Sequence, residues 1–183
     1  MALIGRRLVL AAGGTLAAGL CARKPLADGL KPLSAALRLR EPPAESPDFA
    51  FADAGGGEHR LAEFHGRGMV INFWATWCAP CVEEMPSLAT LSTRLAPDDI
   101  AVLPLSSDRG GVPVVQAFYE KIAVRSLPVL LDPRGAAAHA FNARGLPTSV
   151  LIDRQGLVRA TVEGAADWSS AEAYEQVRKL VSG

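Results

Sequence analysis

The chain has 183 residues, room for one ordinary domain plus extras. Its 49% hydrophobic and 21% charged content is that of a globular protein, not of a disordered or fibrous one. Lys plus Arg equals Asp plus Glu at 19 each, so no basic field points to nucleic acid, and electrostatics singles out no other partner.

Residues 1–22 have the layout of an export signal. Arg6 and Arg7 precede a charge-free apolar run of 13 residues, Leu8 to Leu20, short of the about 20 needed to span a bilayer. Cleavage after Ala22 or Ala27, retention as an uncleaved membrane anchor, and acylation at Cys21 are the three fates to weigh. Leu20 is larger than the residue that precedes an acylated cysteine. The paired arginines leave both a general secretion route and twin-arginine export open. Pro25, Pro32, Pro42, Pro43 and Pro47 break residues 23–47, which read as a linker with room for a short helix between Leu33 and Arg40.

The domain is expected over 48–183. It opens with Asp48-Phe49-Ala50-Phe51, a Gly55-Gly56-Gly57 turn and His59-Arg60-Leu61, a small β-hairpin. Met69 to Phe73 is an apolar run of central-strand type. Pro80 to Leu95 follows as a helix, with Val82, Met85, Leu88, Leu91 and Leu95 at steps of three or four and Pro86 as a kink. Ile100 to Leu105 reads as a parallel strand and Pro113 to Ile122 as a helix. Leu127 to Leu131 is a further buried run, and Ala136 to Phe141 a short helix. Thr148 to Ile152 and Leu157 to Glu163 form a hairpin about Asp153-Arg154-Gln155-Gly156. A last helix spans about Ala171 to Val181, capped by Ser169 or Ser170. Alternating strands and helices that end in an antiparallel hairpin and a helix make an α/β fold.

The chemistry concentrates at Asn72-Phe73-Trp74-Ala75-Thr76-Trp77-Cys78-Ala79-Pro80-Cys81. Two cysteines three positions apart sit where a strand passes into a helix, within reach of a disulfide. Cys78 falls at the helix N-terminus, where unpaired N–H groups and the dipole favour a thiolate; Cys81, one turn inside, is more shielded. The spacing suits thiol–disulfide exchange. A zinc site wants about four ligands, and no second cysteine pair or His-x-x-x-His follows. A purely structural disulfide would close too small a loop to constrain the unfolded chain much. His59, His65 and His139 are widely spaced and read as surface residues, so no metal is assigned.

With Glu83-Glu84-Met85-Pro86 after it, this motif resembles the thioredoxin superfamily, and within it the TlpA/ResA-type periplasmic thiol–disulfide oxidoreductases. Gly145-Leu146-Pro147-Thr148-Ser149 falls at that superfamily's cis-proline position. The resemblance spans about residues 47–183. It implies a thioredoxin fold, a mixed central sheet flanked by helices with an N-terminal β-hairpin extension. It also implies Cys78 as the attacking sulfur, Cys81 as the resolving one and a cis Pro147 that leaves a backbone edge free for a bound polypeptide. Trp77, Leu146 and Thr148 are then the substrate-binding candidates. Asn72 stands where thioredoxins proper carry a buried aspartate, and Glu84 takes over its proton-handling role. The alternative for Glu84 is a solvent-facing acid near the helix start. Trp74 and Trp77 are expected under and beside the disulfide.

The resemblance further implies a periplasmic, exported reductase of protein disulfides, a monomer with no cofactor beyond the Cys78/Cys81 pair. A membrane thiol transporter would feed it electrons. Its targets would be haem-site cysteines of apocytochrome c or copper-site cysteines in oxidase assembly. The alternatives are a disulfide-donating oxidase or isomerase, a thioredoxin-fold peroxidase, and a non-catalytic binding module. Peroxidases use a lone cysteine in a Thr-x-x-Cys context that this pair does not match.

Overall fold

A computed structural model describes residues 29–183; the readings on the leader, its cleavage and Cys21 concern residues outside that range. The elements in chain order are β1 (Lys31–Pro32), α1 (Leu33–Ala36), β2 (Leu37–Glu45), β3 (Ala50–Asp53), β4 (Glu58–Arg60), β5 (Gly68–Trp74), α2 (Ala79–Leu95), β6 (Ile100–Ser106), α3 (Val112–Lys121), β7 (Leu130–Leu131), α4 (Ala136–Ala140), β8 (Thr148–Ile152), β9 (Leu157–Glu163), β10 (Ala166–Asp167) and α5 (Ala171–Val181). Eight strands form one sheet in the order β2-β9-β8-β5-β6-β7-β3-β4, and β1 and β10 form a separate parallel pair. Within the large sheet only β5–β6 and β6–β7 are parallel.

That order puts β5 at the centre, and its composition says why. All seven of its residues are buried, as expected of a strand covered on both faces. Alternate side chains serve two cores. Val70 and Trp74 join α2, α3 and α5 on one side, while Met69, Ile71 and Phe73 join the β3–β4 hairpin and α4 on the other. The parallel β5–β6 pair requires a crossover, and α2 supplies it. Its buried Cys81, Met85, Leu88, Leu91 and Leu95 recur at helical spacing against the sheet. The helix runs unbroken through Pro86. Ser170 caps α5 by accepting from the Ala173 N–H. Of the Leu127–Leu131 run only the last two residues are strand.

Residues from Lys31 onward correct the expectation of a linker. Leu33 is 2% exposed and sits in the same cluster as Trp168 and Met85. Leu37 to Glu45 is the outer strand of the large sheet, antiparallel to β9, with a register shift between Leu39 and Ala44. The prolines that suggested a breaker, Pro42 and Pro43, fall within that irregularity. An edge strand tolerates them because one side of its backbone has no partner to bond. The only helix here is the single turn Leu33–Ala36.

The β3–β4 hairpin forms as expected and is braced by His59. Its ring nitrogens lie 2.9 Å from Asp53 and 3.0 Å from Glu63, and the ring stacks on Phe51. Gly68, at the start of β5, is a close-approach position. A Cβ there would lie 2.7 Å from the Val181 carbonyl oxygen and 2.8 Å from Val181 Cγ2. The backbone carbonyl cannot swing aside as a side chain would. Gly68→Ala is therefore expected to cost about 1–3 kcal/mol, read as a lower urea midpoint at unchanged m-value. An unaltered midpoint would show that α5 yields freely at its C-terminus.

Candidate active site

The sheet delivers β5 to a tight turn at its C-terminal end, and the turn delivers two sulfurs to the start of α2. Cys78 is the residue before the first helical turn, extended at φ −90° and ψ 101°, with Pro80 just inside. Cys78 and Cys81 are joined as a disulfide with Cα atoms 5.2 Å apart. Cys78 keeps 7% of its area exposed and Cys81 none. Both donors of a free N-terminal turn and the helix dipole thus favour a thiolate at Cys78 once the bond opens. Among the described residues no three His, Cys, Asp or Glu side chains gather as a metal site.

Glu84 lies on the buried face of α2, not in solvent. Its Oε1 accepts from Asn72 Nδ2 at 2.8 Å, and its Oε2 accepts from the Ala166 backbone N–H at 3.0 Å and from Trp168 Nε1 at 3.1 Å. Burial pushes its carboxyl up to about 7, while those three donors pull the other way. Asn72 is the polar interruption in β5, and its Nδ2 also donates to Ser149 Oγ at 2.9 Å. Its Oδ1 has no partner. Glu83, the neighbouring acid, is exposed.

The Leu146–Pro147 peptide is cis. Arg144, Gly145, Leu146, Pro147 and Glu163 are among the residues that line a shallow depression. Thr148 is buried. Its hydroxyl donates to Gly145 O at 2.7 Å, and its backbone lies between Phe73 and Glu163 of the flanking strands. Pro147 and Thr148 are both buried and shape this loop from inside, and its accessible surface is that of Arg144, Gly145 and part of Leu146.

The two tryptophans part company. Trp74 is fully buried and stacked on Tyr119, with ring centroids 5.6 Å apart. Trp77 is 70% exposed and does not shelter the disulfide; an indole in water beside the sulfurs is free to touch a partner.

Sequence reading passed over the residues that clamp the turn. Asp108 is buried just beyond β6. Its carboxylate accepts from the Thr76 N–H at 2.9 Å, from Thr76 Oγ1 at 2.7 Å and from Ser106 Oγ at 2.7 Å. The available signal was position, since loops after the carboxyl ends of parallel strands build sites in α/β sheets. Thr76→Val leaves Asp108 Oδ1 buried without that donor, an expected loss of about 1–3 kcal/mol. It should also lower the exchange rate roughly tenfold through a misplaced Cys78, with Thr76→Ser restoring both. Equal rates for the valine variant and the native protein would dismiss the clamp.

Comparison with known proteins decides the kinship. Residues 43–161 match the family model described as the AhpC/TSA family. This chain belongs to the AhpC/TSA family. The thiol-disulfide oxidoreductase ResA of Geobacillus kaustophilus is 34% identical over 129 residues, which cover 70% of this chain and 73% of the relative. Among solved structures, one assigned as thiol:disulfide interchange protein DsbE from Chlorobium tepidum superposes with a TM-score of 0.66 at 24% identity, over 78% of this chain and 99% of that one. The exposed lipoprotein thioredoxin of Streptococcus pneumoniae gives 0.61 at 27% identity, over 73% and 98%. This AhpC/TSA chain is a thioredoxin-fold thiol–disulfide oxidoreductase. Trp168 and the arm Lys31–Ala36 fall outside the span matched by the family model.

Proposed function

We propose that the enzyme is an exported reductase of protein disulfides. Its reduced Cys78 thiolate attacks a substrate disulfide, forming a mixed disulfide and releasing one substrate thiolate. Cys81 then loses its proton and attacks the Cys78 sulfur. The second substrate thiolate leaves and the Cys78–Cys81 bond closes, so two electrons pass to the substrate. Trp77 and Leu146 flank the incoming polypeptide at Pro147.

The observation that carries this reading is the buried Glu84 carboxyl, one helical turn beyond the fully buried Cys81. A buried thiol cannot give its proton to water directly, and a carboxyl held near neutrality is matched to accept and return it. The reductase direction, a membrane thiol transporter as electron donor and haem-site or copper-site cysteines as targets follow from the TlpA/ResA resemblance. The charge-free run after Arg6 and Arg7 supports export. Residues 31–45, built into the single sheet and its companion pair, provide no separate dimerisation domain.

Equilibration of the Cys78/Cys81 couple with glutathione or dithiothreitol tests the direction. A reduction potential well below about −200 mV supports a reductase, whereas one near about −120 mV makes the enzyme a donor of disulfides.

A further inference from the structure

The segment that closes over Glu84 lies between β9 and α5 and is held by the arm that precedes β2. Trp168 is fully buried. Its backbone N–H donates to Ser87 Oγ at 3.2 Å, and Ser87 Oγ donates in turn to the Glu84 carbonyl at 2.8 Å. Together with the Ala166 N–H and the indole N–H on Glu84 Oε2, these bonds stitch Ala166–Trp168 to α2 at the acid itself. On the other side β1 runs parallel to β10, with Lys31 opposite Ala166 and Pro32 opposite Asp167. Leu33 and Ala36 are buried in the cluster that holds Trp168, Cys81 and Met85.

We propose that Trp168, backed by the arm Lys31–Ala36, is a positioning residue for Glu84: the indole N–H fixes Oε2 and the arm keeps water from the carboxyl. The inference rests on Glu84 as the proton acceptor of the exchange. The hydrogen-bond partners that face the carboxyl are neutral: Asn72 from β5, the Ala166 amide, and Trp168. Ser149 of β8 stands behind Asn72. Cys81, on the same helix face, is held in the disulfide and carries no proton. With no charge hydrogen-bonded to it, the acid's proton affinity is set by N–H donors and by access of water, and these act in opposite directions. A donor favours the carboxylate, whereas exclusion of water favours the protonated acid.

The two substitutions should therefore move the acid apart. Trp168→Phe keeps an aromatic ring and removes the N–H, so the Glu84 midpoint rises by about one pH unit. Leu33→Ala loosens the backing and admits water, so the midpoint falls. The experiment uses the full chain with carbon-13-labelled glutamate, following the Glu84 carboxyl through its titration, alongside the pH profile of exchange with oxidised glutathione. Opposite shifts in the two folded variants support the proposal. An unmoved carboxyl midpoint in both overturns it and leaves Trp168 as packing alone. Should Trp168→Phe fail to fold, Leu33→Ala decides by the same downward shift or its absence. Glu84→Gln separates this inference from the reading beneath it. If that variant keeps the native inflection in its rate profile while the carboxyl still shifts in the other two, positioning stands and the catalytic role of Glu84 falls.

Discussion

Cys78→Ser abolishes exchange, lowering the rate by on the order of 10³ or more, because the hydroxyl left behind is no thiolate at neutral pH. Cys81→Ser has a different outcome. Its Cys78 stays at the helix N-terminus, still attacks, and then lacks the sulfur that would release the substrate. The variant accumulates as a mixed disulfide with any disulfide-bearing polypeptide, visible as a mass adduct that dithiothreitol removes. The asymmetry follows from exposure, since only Cys78 reaches the surface and Cys81 is sealed beneath it. Equal trapping by the two serine variants would refute the division of labour, and residual turnover in Cys78→Ser would move the attack to Cys81.

The second large effect is on stability and comes from Glu84. An ordinary glutamate, as in the unfolded chain, loses its proton near 4.5, whereas burial holds the folded one up to about 7. Between those values the native state binds more protons than the unfolded state, so stability falls as pH rises. It is greatest below about 4.5, declines towards 7, and levels off above it. The contribution lost over that window is about 3 kcal/mol, at 1.36 kcal/mol per pH unit. Glu84→Gln removes the titration and flattens the window. Its amide can still accept from Ala166 and Trp168, and rotation of the Asn72 side chain would present the now unpartnered Oδ1 to the new N–H donor. Urea unfolding of the oxidised protein at pH 5, 6, 7 and 8 measures the difference. A native-like slope in the variant would assign the titration to another group.

The site was legible in the chain to different depths. Cys78 and Cys81 could be read because their chemistry depends on spacing and on one local transition from strand to helix, both written in ten consecutive residues. Pro147 and Glu84 could be placed only through resemblance. Nothing local distinguishes a buried acid at position 84 from its exposed neighbour at 83; helix α2 turns one to the sheet and the other to water. Trp168 gave no signal, and Asp108 and Ser149 none beyond their position, because each acts on a residue 32 to 84 positions away.

The arm from Lys31 to Glu45 shows the same limit from the other side. Its prolines and charges match a tether as well as an edge strand, and local preference cannot separate the two. Its place is decided by β9, whose free edge it covers, and by the pocket that takes Leu33. By itself the sequence determined the elements with strong hydrophobic period, the α/β class, and the redox pair. The tertiary structure alone decided which carboxyl is buried, which groups hold it, and that β10 and the arm before β2 meet beside it. Propensity and spacing act over a few residues, whereas desolvation and hydrogen-bond partnership exist only once distant segments are packed together.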